Sequence, residues 1–428
     1  MAQWKINFGS VTKNHKIMKV YKFGGASVKD ADGVRNLAKI VKNHSNLVVV
    51  VSAMGKTTNM LEKVTENYFF NGGASIQELK DFHYNISKDL FERNHPIFDE
   101  INNLFVEIEW AIEDKPTSTY SFEYDQIVSV GELLSTKIVG AFLKQEGLNI
   151  NWKDARDFIR TDNCYRNARV DWDLTKDLVS KTFTDDCIYL TQGFIGCTSE
   201  NFTTTLGREG SDFSAAILAF ALDADQVVIW KDVPGFLNAD PVYFDATELL
   251  EKIPYSEAIE LAYFGAKVVH PRTIQPLKAK NIPLKVKSFV EPDSQGSEIG
   301  DFQEITPFVP SYIVKPNQML LSLSTKDLSF IIEEHISHIF SLLAQNNIAV
   351  NMMQNSALSF SVCFDNDTIK TKPLIEKLSQ DYSLFYNTDL TLYTIRHYNS
   401  ESVAKVKKGK EVLLEQKSRN NIQIVVNH

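Results

Sequence analysis

The stretch "KFGGASV" at residues 22–28 ends a short apolar run (Val20, Tyr21, Phe23) with Lys22 inside it, then supplies Gly24, Gly25 and Ser27. Bare backbone N–H groups, one ammonium and one hydroxyl form the cradle that the oxygens of a polyphosphate require. Two glycines after a strand are ordinarily a plain turn, and the pattern G-x-x-x-x-G-K-[ST] does not follow, so this stretch alone leaves the choice open. A second stretch, "TLGREGSDFSAA" at 205–216, sets Gly207 and Gly210 around Arg208 and Glu209, then Ser211 and Asp212 where a helix should begin. Ser211 or Asp212 there could simply cap that helix, worth about 1 kcal/mol. Two such turns, each between a strand and a helix, suggest instead two helix N-termini converging on one anion.

The elements that must carry these turns are legible as alternating patterns. Continuous β-branched runs predict strands at 18–23, 47–52, 187–192, 226–230 and 283–289. Helical spacing predicts helices at 31–43, 57–70, 131–146, 211–222 and 255–265, with a helical insertion over 75–113. Such alternation implies an α/β fold with a mostly parallel sheet between helices. Near 290 the texture changes: "EPDSQGSEIG" is turn-rich, and "TPFVPSYIVKPNQ" adds three prolines. Beyond it, strands "QMLLSLS", "IAVNMMQN", "ALSFSVCF" and "SLFYNT" with helices at 333–346 and 368–380 give the β-α-β-β-α-β order of a ferredoxin-like unit. A second start follows: strand "LTLYTI", helix 401–418 and strand "IQIVV". The expected divisions are an N-terminal extension 1–17, a catalytic domain 18–292, a small module 315–388 and a partial second module 389–428. The lysine-rich run 405–419 reads as a solvated amphipathic helix rather than a nucleic-acid patch, because Glu411 and Glu415 are interleaved with it.

Composition narrows the function classes. A chain of 428 residues, 43% hydrophobic and 23% charged, is globular, and at roughly 150 residues per domain it holds two or three domains. A net charge of −9 argues against a general nucleic-acid or membrane binder, which needs a field that attracts phosphate. Cys164, Cys187, Cys197 and Cys363 show no C-x-x-C spacing, which fits a reducing compartment without a zinc site or disulfide framework. The first residues lack a signal-peptide apolar run, and "LVVVVSAM" at 47–54 is far short of the roughly 20 residues that span a bilayer. A cytoplasmic protein is expected.

With these residues in view, the chain resembles an aspartokinase of the amino-acid kinase family followed by C-terminal ACT-type regulatory modules. The resemblance is carried by "KFGGASV", "VVVVSAMGKTTNML" (48–61), "SVGELLS" (129–135), "DARDFIRTD" (154–162), "TQGFIG" (191–196), "TTLGREGSD" (204–212), "DVPGFLNADP" (232–241) and "GAKVVHP" (265–271), in the family's order across about 290 residues. K-F-G-G together with V-G-E-L-L separates this branch from relatives that act on acetylglutamate, glutamate or nucleotides.

The resemblance implies transfer of the γ-phosphoryl group of ATP to the side-chain carboxylate of L-aspartate, the first step of lysine, threonine and methionine biosynthesis. A carboxylate nucleophile is already ionised at pH 7, so no general base is called for. By similarity, Lys22 would reach the β- and γ-phosphates, Gly24, Gly25, Ser27 and Ser211 would donate to the nucleotide, and Asp212 would orient the catalytic lysine. Lys231, Asp232 and Asp240 fall in the loop lining the adenine and ribose side, and Lys267 matches a lysine at the nucleotide end. Glu132 would take the substrate ammonium, Arg208 would clasp a carboxylate, and Ser52 and Thr58 would add hydroxyls. His270 reads as structural. Mg²⁺ should arrive with ATP rather than in a protein metal cage. Lys231, Leu237 and Val242 depart from the family's usual threonine, tyrosine and arginine, and Lys231 is the residue that would compensate. In the regulatory half, an amino-acid effector is expected around Asn351, Met352 and Ser356, and paired modules imply a homodimer. A kinase for another carboxylate substrate, or a non-catalytic amino-acid sensor that keeps the fold, are the alternatives.

Overall fold

The computed structural model describes residues 18–266, 268–327 and 329–428. The expected extension 1–17 and the side chain of Lys267 lie outside the described residues. The chain forms two compact units, one built from the first part of the chain up to Gly235 plus Val269–Phe302, the other from Phe236–Val268 plus Gln303–His428.

In the first unit the all-buried run Leu47–Val51 lies beside Lys19–Phe23. The strand order is Ile150–Trp152, Ile188–Gln192, Leu47–Val51, Lys19–Phe23, Gln226–Lys231, Leu284–Ser288, Ser297–Gly300. Neighbours are parallel except the last pair. All five expected strands lie side by side here. A parallel sheet places the exits of its strands at one edge, and helices that follow them start there. Lys22 therefore sits level with Val50 and Ile229, next to the exits of both neighbouring strands.

Helices Ala31–Val41, Thr57–Glu66, Val130–Gln145 and Gly210–Leu222 lie where the sequence predicts them, and the insertion resolves into Gln77–Leu90 and Ile97–Ala111. The expected helix 57–70 changes at Asn67–Asn71 into a π-helical turn that ends on Gly72, whose φ is +70°. Gly210–Leu222 is buried almost all round and packs on the strands Lys19–Phe23 and Gln226–Lys231, so it shows apolar run rather than amphipathic period. Residues Tyr120–Gln145 are apolar and long enough to cross a membrane, but most of that stretch is buried inside the first unit, as a core helix is.

In the second unit a six-stranded antiparallel sheet runs in the order Val350–Asn355, Phe360–Asp365, Ser311–Thr325, Tyr382–Arg396, Asn421–Asn427, Glu411–Lys417. Three expectations are corrected here. The helix expected at 401–418 spans only Ser400–Lys407, because Gly409 at φ +73° ends it, and Glu411–Lys417 pairs as a strand with Asn421–Asn427. The solvated amphipathic helix read into 405–419 fails for the same reason. "SLFYNT" and "LTLYTI" are one strand, Tyr382–Arg396, interrupted only by Asp389 in the left-handed region. Its partner Ser311–Thr325 is equally continuous, passing Pro316 through a register shift, since proline has no N–H for the ladder. Helices Glu333–Gln345 and Thr368–Asp381 cover one cluster of the core around Leu321, Val362 and Leu374. Segment 236–268 supplies Ala239 and Phe244 to another, with Ile395, Val406 and Ile424.

Candidate active site

A cleft of ≈ 540 Å³ opens in the first unit at the strand exits, lined by both glycine turns and by residues from four helices and loops between them. At its floor Lys22, 7% exposed, places Nζ 2.6 Å from Oδ1 of Asp212, which is 2% exposed. Lys231 Nζ lies 3.4 Å from the other oxygen of the same carboxylate. Burial works against the Asp212 charge, but Lys22 first and Lys231 next outweigh it and hold the carboxyl below the usual range. Asp212 stands in the first turn of Gly210–Leu222, where the helix's own N–H groups also favour an anion.

The first turn is built for close approach. Ser27 N–H bonds the Gly24 carbonyl at 3.0 Å, and Gly55 N–H bonds the Gly25 carbonyl at 3.0 Å, so two turns are laced together. A Cβ on Gly25 would stand 2.6 Å from the Ala53 carbonyl oxygen. In the second turn Gly207 has φ +76°, which any side chain would strain. Arg208, Glu209, Gly210 and Ser211 of that turn all line the cleft.

Glu132 enters from Val130–Gln145 and is 2% exposed. One of its oxygens is 3.4 Å from the Ala53 N–H, and Oε2 has no partner. Burial raises its carboxyl to about 8, against the pull of the Ala53 and Glu132 N–H groups and of Lys22. A buried carboxylate oxygen without a donor, aimed at a cleft, is suited to an incoming cation. Ser52 and Thr58 line the same space.

Residues 18–288 match the sequence pattern of the Amino acid kinase family. The chain belongs to that family. Among curated members, it is 34% identical over 374 residues to "Lysine-sensitive aspartokinase 3" of Escherichia coli, covering 84% of this chain and 82% of that one. It is 31% identical to "Aspartokinase 1, chloroplastic" of Arabidopsis thaliana, covering 84% of this chain and 65% of the relative. Among solved structures, Escherichia coli aspartokinase III in complex with lysine and aspartate (T-state) matches with TM-score 0.81 at 30% identity, covering 96% of each chain. The same protein in complex with aspartate and ADP (R-state) matches with TM-score 0.79 at 29% identity and the same coverage. The first unit has the amino-acid kinase fold with its mostly parallel sheet, and the antiparallel sheet of the second corresponds to ACT-like modules.

Of the residues singled out from sequence, the amino-acid kinase cleft gathers Lys22, Gly25, Ser52, Thr58, Glu132, Arg208, Ser211, Asp212 and Lys231. Gly24 adjoins it, since a Cβ there would stand 3.5 Å from Lys22 Nζ. Ser27 is buried behind the turn and donates weakly to the Trp230 carbonyl at 3.4 Å. Asp232 is exposed just beyond the strand, and Asp240 lies in the second unit, accepting from Val242 N–H at 2.9 Å. His270 caps helix Pro271–Ala279 by accepting from Arg272 N–H at 3.2 Å.

The three effector candidates separate. Asn351 is bonded to Lys315 Nζ at 2.7 Å, Gln318 at 2.7 Å and Asp365 at 2.9 Å. Met352 is buried among Leu320, Cys363 and Leu392, and Ser356 is an exposed turn residue bonded to Ser359. Sequence reasoning missed Glu62, Tyr124, Arg166 and Glu209 in the cleft. Glu209 stood beside the glycine turn and Glu62 one helical turn after Thr58, so both were within reach of the sequence; Tyr124 and Arg166 lie far apart in sequence with no turn or spacing to mark them.

Proposed function

We infer that this chain is an aspartate kinase, transferring the γ-phosphoryl group of ATP to the side-chain carboxylate of L-aspartate and releasing ADP. The observation that carries the reading is a single cleft holding the Lys22–Asp212–Lys231 cluster, the unpartnered buried oxygen of Glu132 and the guanidinium of Arg208. The barrier to this reaction is the meeting of two anions, so catalysis consists of fixed positive charge and positioning. Lys22 neutralises the transferring phosphoryl group, Asp212 holds Lys22 aimed, and Lys231 adds a second ammonium. Gly24, Gly25 and Ser211 bring backbone N–H groups to the phosphates, with Ser27 supporting the turn. Glu132 receives the substrate ammonium and Arg208 a carboxylate, while Ser52 and Thr58 supply hydroxyl donors.

The cleft fits Mg²⁺ as a companion of the nucleotide: Asp212 is committed to two lysines, and Glu209, whose Oε2 is buried without a partner, is a carboxylate suited to water-mediated contact with it. When bound, that ion supplies charge neutralisation at the phosphate oxygens. The second unit takes an amino-acid effector in this reading, supported by similarity to a lysine-sensitive aspartokinase. Asn351 is the polar candidate there, and pairing of two such units makes the protein a cytoplasmic homodimer. Asp232, just beyond Lys231, is the acid on the nucleotide side in this reading.

The test is to incubate the protein with MgATP and aspartate and trap the acyl phosphate with hydroxylamine, then repeat with glutamate and acetylglutamate. Hydroxamate is expected from aspartate alone, and Lys22→Met should lower it by on the order of 10³-fold. Hydroxamate from another substrate, or undiminished turnover in Lys22→Met, would overturn the reading.

A further inference from the structure

Among the described residues four cations line the cleft: Lys22, Arg166, Arg208 and Lys231. The two lysines lie against Asp212. Neither arginine has a carboxylate within 4.0 Å among the described residues.

Arg166 is held in place in an unusual way. Its φ is +67°, the left-handed region, where glycine or asparagine would fit with less strain than an arginine. The strain is offset by Asp125, whose two oxygens accept the Arg166 N–H at 3.1 and 3.0 Å. The same carboxylate accepts Thr205 N–H at 2.8 Å and the Thr205 hydroxyl at 2.7 Å, two residues before Gly207. Ala168 N–H bonds the Thr205 carbonyl at 3.0 Å, and a Cβ on Gly207 would stand 3.1 Å from the Arg166 carbonyl oxygen. The loop bearing Arg166 is therefore pinned to the turn bearing Arg208. The guanidinium lies over the rings of Tyr124 at 4.5 Å and Tyr120 at 5.3 Å, and the Tyr124 hydroxyl is itself fixed by Glu62 at 2.6 Å. A guanidinium lying over two aromatic rings is restrained by them without its N–H groups being spent on a carboxylate.

We propose that Arg166 is a second clamp on the substrate's non-reacting carboxylate, acting beside Arg208 and selecting for a substrate that carries two carboxylates. The inference rests on the aspartate kinase reading. In that reading the reacting carboxylate must face Lys22 and the ammonium must face Glu132, which leaves one carboxylate for the two uncommitted guanidiniums. The cleft also holds Glu62 and Glu209, so a single arginine must work against these negative charges when it draws an anion in.

The test compares wild type, Arg166→Gly and Arg166→Lys with aspartate and with its α-amide, in which the non-reacting carboxylate is neutral. Arg166→Gly relieves the backbone strain, so its melting temperature should equal or exceed that of wild type. Its KM for aspartate should rise about tenfold or more, with kcat falling less than about threefold and KM for ATP within about twofold. Arg166→Lys should recover part of that loss. With the α-amide, wild type and Arg166→Gly should have equal kcat/KM. An unchanged KM for aspartate in Arg166→Gly, or an equal loss on aspartate and amide, would overturn the clamp. Calorimetric titration of aspartate into the same proteins separates the two readings: binding by wild type that survives intact in Arg166→Gly sinks the clamp alone, whereas no binding by wild type sinks the kinase reading and the clamp with it.

Discussion

In the proposed aspartate kinase, Glu132 is pulled in opposite directions by its surroundings and by the role assigned to it there. Burial raises its carboxyl to about 8, so near neutrality it is mostly protonated, yet an ammonium is bound best by the ionised form. Aspartate binding and deprotonation of Glu132 are then coupled. Apparent affinity for aspartate should climb about tenfold per pH unit from 6 to 8 and level off above, while Glu132→Gln should bind weakly with no such slope. The same shift sets a stability effect of definite sign. A carboxyl whose folded pKa lies above the unfolded value stabilises the fold fully below about pH 4.5, and that contribution is lost as pH rises toward 8. The loss runs at about 1.4 kcal/mol per pH unit. Glu132→Gln does not titrate, so its melting temperature should exceed that of wild type by a margin that widens from pH 5 to 8. Parallel melting curves at all pH values would show that Glu132 is ionised in the free protein.

The two glycine-bearing turns pose the question at the scale of elements, because neighbouring glycines in one motif have different reasons to be there. A Cβ on Gly25 meets the backbone oxygens of Ala53 and Gly55 at 2.6 and 3.0 Å, whereas a Cβ on Gly24 meets only the flexible end of Lys22 at 3.5 Å. Gly25→Ala must force the laced turns apart and should cost about 1–3 kcal/mol of stability along with nucleotide affinity. Gly24→Ala should keep the melting temperature of wild type and weaken only ATP binding, through crowding at the ammonium; equal destabilisation by both would refute the distinction. Legibility in the sequence follows the same line. The long β-branched strands marked the sheet, and the Gly-Gly and Gly-x-x-Gly turns marked the cleft only because two of them recur between a strand and a helix, since either alone reads as a plain turn. Strands such as Ile150–Trp152 and Thr203–Thr205 did not, because three residues carry no period. Glu411–Lys417 was misread since charges on an edge strand mimic a solvated helical face, and Gly409 was the overlooked stop. Arg166 was invisible because its placement depends on Asp125, 41 positions away, rather than on any local pattern.

At the scale of the whole molecule, the chain leaves the first unit at Gly235, contributes Phe236–Val268 to the second, and returns at Val269. That excursion starts five residues after Lys231, so the covalent path from the cleft runs directly into the unit with the ACT-like sheet. Within the second unit the excursion is fastened by a buried cluster. Arg396, at the end of Tyr382–Arg396, makes a two-pronged bond to Glu257 of helix Tyr255–Phe264, at 3.0 and 2.6 Å, and reaches Glu260 at 3.1 Å. His397 Nε2 stands 3.1 Å from Glu257 Oε1. Burial opposes the charge on Glu257, but His397 and Arg396 overcome it and bring the carboxyl down to about 2. A lowered pKa of this kind stabilises the second unit above about pH 4.5, and the contribution is lost as pH falls toward 2. Removing Glu257 leaves the buried Arg396 only the half-exposed Glu260 as a partner, so Glu257→Met should destabilise by up to about 3–5 kcal/mol at pH 7, whereas the double change Glu257→Met with Arg396→Met should come within about 1–2 kcal/mol of wild type. The comparison discriminates because simple loss of packing would make the double change worse than either single one. Melting of Glu257→Met, Arg396→Met and the double change at pH 7, repeated at pH 4, therefore reads the cluster's coupling directly, and additive losses would refute it.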